Sequence, residues 1–173
     1  MFKSTPESFP AKFVPGDIFD DSFLTLGPVS EGAITPSEPE VDIASLTSLN
    51  PLRGRLSAIH AANFFHLFSE EQQTIVAKKF ASLLSPEPGS LIFGAHVAKA
   101  EAKGVYPIVM KLETVQSVDM FSHCPESWTT LWEEVFGPGK VEVKTSITSV
   151  GMKGFEQNGK AMSDYMTWSV VRL

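Results

Sequence analysis

Residues 56–95 read LSAIHAANFFHLFSEEQQTIVAKKFASLLSPEPGSLIFGA, and this stretch decides the fold. Two apolar runs, at 56–62 and 90–95, flank a polar break and an amphipathic segment, which predicts strand, helix, strand. Neither run alternates apolar with polar residues, and that pattern is typical of parallel strands covered on both faces by helices. The sequence therefore predicts a right-handed β-α-β unit of an α/β domain, with both faces of its strands covered.

The helix between the two runs carries its own start and stop signals. Ser69 is a predicted N-cap, and Gln72 three residues later completes a capping box. Pro86 and Gly89 mark the end of the helix. The loop that follows the first run, 60–67, then lies at a carboxyl end of the sheet, where open α/β folds bind ligands. The apolar residues of the helix fall on one face, and they are Val76, Phe80, Leu83 and Leu84.

Composition narrows the classes of function. A chain of 173 residues with 43% apolar residues fits a single globular domain, 1–173. The net charge of -6 argues against nucleic acid or an anionic membrane as the main partner and favours a small-molecule ligand. The single cysteine allows no internal disulfide, and no metal-ligand spacing is present, so no metal is expected. No apolar run is long enough to span a bilayer, and the sequence predicts a cytoplasmic protein.

Before the deciding stretch, the sequence predicts one strand and one irregular region. Residues 13–19, FVPGDIF, are a strand candidate that ends in a Gly-Asp turn, although Pro15 restricts it to a strand end or edge. Residues 27–55 are rich in proline and acidic residues, show no periodicity, and are interpreted as an irregular insertion before the central strand.

After the deciding stretch, residues 98–124 are predicted to be a long connection of the kind that forms lids or binding loops. Pro125 then opens a helix whose apolar face carries Trp128 and Trp132, both interpreted as core. The chain closes with two strand patterns, at 141–150 and 166–173, which predict an antiparallel pair with a long connection between them.

Several side chains are candidates for chemistry, each with a structural alternative. His60 and His66 flank the end of the central strand, and either is a proton shuttle or a histidine that serves packing. Asp17, in its Gly-Asp turn, either accepts a hydrogen bond from a nucleoside amine or forms an ordinary turn. Cys124 has no visible activating base, which argues against a nucleophile. Three aromatic residues either wall a ligand or pack in the core, and they are Phe64, Phe65 and Phe68.

The order of elements resembles the second half of a class I S-adenosylmethionine-dependent methyltransferase, whose sheet ends in a reversed hairpin. The amino-acid sequence is similar to that of a group of fungal small-molecule methyltransferases over nearly the whole chain. The segments that carry this similarity are FVPGDIFD, LTSLNPLRGRLSAIHAANFFHLFSEEQQ, LLSPEPGSLIFGAHV, CPESW and WSVVRL.

The resemblance implies a partial Rossmann-like sheet made of the family's strands 3, 4, 5, 7 and 6, in a domain truncated at its N-terminus. It implies S-adenosylmethionine as cofactor, with Asp17 and Ile18 flanking the adenine and with His60 and Ala61 lining the methyl-transfer cleft. The glycine-rich turn and the ribose-binding acidic residue of the family have no match here. The resemblance therefore predicts a chain that is inactive alone.

Three interpretations remain open at this point, of which the third is an unrelated α/β protein that binds a ligand at the same strand ends. The first is methyl transfer to an oxygen, nitrogen or carbon of a small-molecule acceptor, by resemblance. The second is a non-catalytic remnant that acts as an interaction module, because a sheet without its first two strands exposes the apolar edge of the strand at 56–62. Self-association through that edge is the corresponding expectation.

Overall fold

The computed structural model describes residues 11–31, 40–111, 115–151, 155–156 and 162–173. Its strands and helices, in chain order, are β1 Ala58–Ala62, α1 Glu70–Leu83, β2 Leu91–Val97, β3 Gly104–Lys111, β4 Val115–Ser122, α2 Pro125–Phe136, β5 Val141–Gly151, β6 Phe155–Glu156 and β7 Met162–Arg172. Short 3-10 turns lie at Ile43–Ser45, Asn50–Leu52 and Phe65–Leu67.

The predicted β-α-β unit is present. β1 and β2 are adjacent and parallel, with His60 opposite Phe93. α1 connects them, and its capping box forms as expected because the Ser69 side chain accepts from the Gln72 N–H while the Gln72 side chain accepts from the Ser69 N–H. The apolar face of the helix is buried, from Val76 to Leu84.

The tail of the chain lies inside the sheet, as the family resemblance implied. The strand order is β1-β2-β7-β5, and β7 is antiparallel to both of its neighbours. Most of the predicted connection between β5 and β7 lies outside the described residues, apart from β6, which pairs with β3. The four-stranded sheet is therefore mixed, with one parallel pair and a reversed strand inserted beside it.

The prediction of a strand at 13–19 is wrong. These residues form no strand and end in a turn in which the Asp20 N–H donates to the Asp17 carbonyl over 3.0 Å. Pro15 offers no N–H for a ladder, and the adjoining Gly16-Asp17 pair favours the turn. The described sheet consequently has four strands rather than the five that the resemblance implied, and β1 lies at its edge.

In the part of the chain that the structure describes, helices cover only one face of the sheet, so the expectation of two covered faces does not hold there. On the covered face Ile92, Trp168 and Val170 are buried in one core cluster with Trp128 and Trp132 of α2. Side chains alternate across a strand, and the neighbouring positions on β2 and β7 therefore point the other way. Phe93 is 38% exposed, and Val171 is only half-buried.

The connection at 98–124 contains a hairpin rather than an irregular loop. β3 and β4 pair antiparallel, with Tyr106 opposite Met120, and form a second, small sheet with β6. In the region at 27–55, the described residues are irregular apart from two 3-10 turns. No helix in the described part of the chain combines the length and apolar character needed to cross a membrane.

Candidate functional site

The carboxyl ends of β1 and β2 meet at one edge of the sheet, and Asn63 marks that edge. Its φ of 52° lies in the left-handed region, where asparagine is tolerated better than most residues. Its N–H donates to the Ala95 carbonyl over 2.7 Å, and its Oδ1 accepts from the Tyr165 hydroxyl over 2.6 Å. Unusual backbone conformations that several contacts hold in place cluster at functional sites, so this edge of the sheet is the candidate site.

His66 lies just beyond, on the 3-10 turn Phe65–Leu67. Its ring is half-buried, and burial lowers the pKa of the imidazole below its ordinary value. Its Nδ1 is buried without a hydrogen-bond partner among the described residues. The neutral ring that results at neutral pH can accept a proton, which is what a general base requires.

An apolar cleft of about 540 Å³ opens beside His66. The segment after β1 forms one wall, and the β3–β4 hairpin forms the other. Its walls include Phe68, Val105, Met120 and Phe121, while Glu70 and Asp119 supply carboxylates. Its size and mainly apolar lining with a few polar groups are typical of sites for small organic molecules.

Two further histidines lie in the core near His66 and Trp128, and neither was a candidate from the sequence. His96 is 1% exposed, and its Nδ1 accepts from the Trp168 indole N–H over 3.0 Å. Burial, with the nearby His66 and His123, lowers the pKa of His96 to about 3. This histidine is therefore neutral near pH 7 and acts as a hydrogen-bond acceptor in the core.

His123 precedes α2 and is also buried. Its Nδ1 lies 2.9 Å from the Ser127 hydroxyl, and burial lowers its pKa to about 4. It borders a second, acidic cleft of about 420 Å³ between the N-termini of α1 and α2. Glu70 lines both clefts and pairs with Lys103 over 2.6 Å.

The predicted adenine-flanking residues lie close to the aromatic wall of the apolar cleft. Asp17 is exposed, and its Oδ1 accepts from the Phe19 N–H over 2.9 Å. The Ile18 carbonyl accepts from the Lys79 ammonium over 2.9 Å, which ties the turn to α1. Phe19 then meets Phe68 edge to face, with ring centroids 5.1 Å apart.

The other predicted residues point in different directions. His60 is exposed on the uncovered face, where its ring lies 4.8 Å from that of Phe93. Ala61 is buried on the covered face. The structure thus brings His66 and the Ile18 turn toward the same aromatic cluster, whereas His60 lies on the opposite side of β1 from Ala61.

Most of the remaining aromatic candidates are structural. Trp128 and Trp132 are fully buried, as predicted. Phe65 is also fully buried, and Phe64 is half-buried against the same core. Phe68 is half-buried against this core and also lines the apolar cleft. Among the described residues, no cluster of metal-ligating side chains is found.

Comparison with known proteins gives the class to which this fold and site correspond. No family model matches the chain. It is similar to curated fungal methyltransferases, and it spans between about a third and half of the length of the relatives it matches. The resemblance predicted from the sequence is confirmed, and the partial coverage is consistent with the C-terminal part of such an enzyme.

Three of these relatives illustrate the range. O-methyltransferase phiE of Fungal sp. (strain ATCC 74256) is 29% identical over 107 residues, covering 62% of this chain and 34% of that protein. Asnovolin E/Chermesin D methyltransferase nvfJ of Aspergillus novofumigatus is 31% identical over 116 residues, covering 67% and 37%. Methyltransferase prhM of Penicillium brasilianum is 30% identical over 155 residues, covering 86% and 51%.

Proposed function

We propose that this chain contributes the acceptor side of an S-adenosylmethionine-dependent methyltransferase site, with a hydroxyl group of a small organic molecule as methyl acceptor. The similarity to fungal methyltransferases is the observation that carries the proposal. The parallel β1–α1–β2 unit supports it, because the apolar cleft opens where its strands end.

His66 is the group best suited to receive the hydroxyl proton. It borders the apolar cleft, and the lowered pKa of its ring keeps it neutral at neutral pH. Phe68, Met120 and Phe121 supply apolar walls that would orient an acceptor and exclude water. Such walls would raise the rate mainly by aligning the acceptor with the methyl group, rather than by strong acid-base chemistry.

The described residues fit the cofactor only in part. S-adenosylmethionine, when bound, supplies an electrophilic methyl group. The Asp17 carboxylate is exposed and can accept from an exocyclic amine, although it already accepts from a backbone N–H. Among the described residues no glycine-rich turn follows a strand. The chain by itself is therefore proposed to bind the cofactor weakly and to transfer no methyl group.

A second candidate is an interaction module without catalysis. The edge of β1, with which no described strand pairs, is the specific observation that favours it, because an apolar strand edge offers main-chain donors and acceptors to another chain. Both candidates are compatible with one chain, since the strand edge and the apolar cleft use different residues.

Isothermal titration of the purified chain with S-adenosylmethionine tests the proposal. Each hydrogen bond contributes on the order of 1 kcal/mol, and the described residues include no match to the family's polar groups for the ribose and the methionine part. The expected dissociation constant is accordingly above about 1 mM. Micromolar binding that is lost in Asp17→Ala but kept in Asp20→Ala, which removes a neighbouring exposed carboxylate, would show that the chain is a complete cofactor site.

A further inference from the structure

The acidic cleft between the N-termini of α1 and α2 carries more negative than positive charge. The carboxylates that line it belong to Glu70, Glu101, Glu126 and Glu134. Its lining cation is Lys103, which pairs with Glu70 over 2.6 Å. Within the described ranges, the other three carboxylates form no ion pair. The cleft therefore keeps a negative charge that its own residues do not neutralise.

His123 adds a buried polar atom without a partner to the wall of this cleft. It is 4% exposed, and its Nε2 has no hydrogen-bond partner in the described part of the chain. Burial lowers the pKa of the ring to about 4, whereas Glu70 acts to raise this pKa and Lys103 to lower it, so the ring lies near both cleft residues. The ring is neutral near pH 7 and does not repel a cation. When Nδ1 donates to the Ser127 hydroxyl, 2.9 Å away, Nε2 is an acceptor for an N–H donor.

Lys103 shows how the cleft holds a primary ammonium group. The hydrogen bond from its Nζ to Glu70 raises the pKa of this lysine, and the charge of Glu134 also acts to raise it. Carboxylates from both helices thus stabilise one ammonium group that is carried on an aliphatic chain. A ligand with further ammonium groups would meet the carboxylates that Lys103 leaves unpaired.

The charges are spread along the cleft rather than gathered at one point. Glu126 and Glu134 are eight residues apart on α2, which is about 12 Å along the helix axis. Thr130 lies between them on the same helix face. Among the residues that the structure describes, no group of three or more candidate ligands could hold a metal ion. This arrangement suits an extended cation better than a compact divalent ion.

The remaining wall of the cleft suits a ligand that combines methylene groups with N–H donors. Leu131 supplies apolar surface. The hydroxyls of Thr74 and Thr130 donate to carbonyls four residues earlier in their own helices, over 3.1 Å each. Each of these hydroxyl oxygens therefore keeps only acceptor capacity toward the cleft.

We infer that this acidic cleft binds a linear aliphatic polyamine, a molecule whose ammonium groups are spaced along a methylene chain. Its ammonium groups pair with the carboxylates of Glu101, Glu126 and Glu134, and one N–H donates to Nε2 of His123. The cleft volume of about 420 Å³ lies in the range typical of small-molecule sites. The inference does not depend on methyl transfer, because the apolar cleft beside His66 is not part of it.

Isothermal titration of the full chain with spermidine tests the site. The ionic strength is held constant, since salt screens exposed ion pairs. We expect saturable binding of one equivalent, and butylamine, which has a single ammonium group, should bind at least about fivefold more weakly. An equal concentration of magnesium chloride in place of the sodium salt should not displace spermidine.

Glu134→Gln and Glu133→Gln are the matched variants. Each removes one exposed carboxylate from α2, but only Glu134 lines the cleft. The dissociation constant for spermidine should rise about threefold in Glu134→Gln, and about tenfold when Glu101→Gln is added to it. In Glu133→Gln it should stay within about 1.5-fold of the original value.

NMR of the histidine rings tests the buried contact without a substitution. Long-range proton–nitrogen correlation spectra distinguish the two neutral tautomers of an imidazole. Saturation with spermidine should shift the ring nitrogens of His123 and leave the proton on Nδ1, while His60, exposed on the uncovered face of the sheet, should not respond.

Four results would overturn the inference. They are the absence of saturable spermidine binding, equal weakening in Glu133→Gln and Glu134→Gln, displacement of spermidine by magnesium at equal concentration, and ring signals of His123 that do not move.

Discussion

The two faces of the four-stranded sheet differ although neighbouring residues build them. Ile92 is fully buried beneath the helices, whereas Phe93, the next residue of β2, is 38% exposed. Trp168 on β7 is likewise buried, and Ser169 beside it is half-exposed. The apolar run of β2 therefore indicates that both faces of the strand can be buried. In the described part of the chain, helices cover only one of these faces.

The two faces also differ in their role, because one forms the core and the other is accessible to solvent. The covered face holds an aromatic core in which Trp128 lies 4.9 Å from both Phe65 and Trp168, between ring centroids. The uncovered face presents His60 and Phe93 next to an unpaired strand edge. Substitutions on the two faces should therefore have very different effects on folding.

The largest expected effect is that of Trp128→Ala on the covered face. Removing a fully buried aromatic side chain should lower the free energy of unfolding by about 3–5 kcal/mol, because contacts with the surrounding rings are lost and a cavity remains. Urea titration followed by circular dichroism measures this loss. A loss below about 1 kcal/mol would mean that α2 does not pack on the sheet as described.

A smaller effect is expected when the pH falls. The folded-state pKa values of His96 and His123, about 3 and about 4, lie below the ordinary value of 6.5. The unfolded chain therefore binds more protons, and stability is lost as the pH falls below 6.5. At pH 5 each histidine should cost about 2 kcal/mol relative to neutral pH.

Urea titrations at pH 7 and pH 5 measure this loss, and His96→Gln provides the matched comparison. The variant removes one titrating group, so the loss between the two pH values should shrink by about 2 kcal/mol. An unchanged loss would show that His96 is not the buried, neutral ring described here.

The smallest effect is expected for Phe93→Ala on the uncovered face. A side chain that already meets solvent should contribute less than about 1 kcal/mol to the free energy of unfolding. The same urea titration, run beside Trp128→Ala, compares the two faces directly. A cost equal to that of Trp128→Ala would show that the uncovered face is buried in solution.

The β-α-β unit could be predicted because several local signals coincide in it. Ser69 and Gln72 form the capping box, and the apolar residues of α1 follow a helical period that no other structure would satisfy. The place of β7 inside the sheet, by contrast, came from the family resemblance, since no local pattern states which strand a segment will join.

The β3–β4 hairpin and most of the site could not be predicted in the same way. Pro107 lies within β3 and has no N–H to donate, so the sequence of this segment gives only a weak strand signal. His66 was found because it follows a strong strand signal. His96 and His123 lie far apart in sequence and meet around Trp128 only in the folded chain, whereas Asn63 could have been noticed as an asparagine directly after a strand.

Among the described residues, β1 pairs with β2 on one side and with no strand on the other, and amide hydrogen exchange measured by NMR at low protein concentration is the direct test of this arrangement. We expect exchange rates to alternate within five residues, with slow exchange at Ile59 and Ala61, whose N–H groups face β2, and fast exchange at Ala58, His60 and Ala62. Uniform protection of all five amides would show instead that the outer side of β1 is covered.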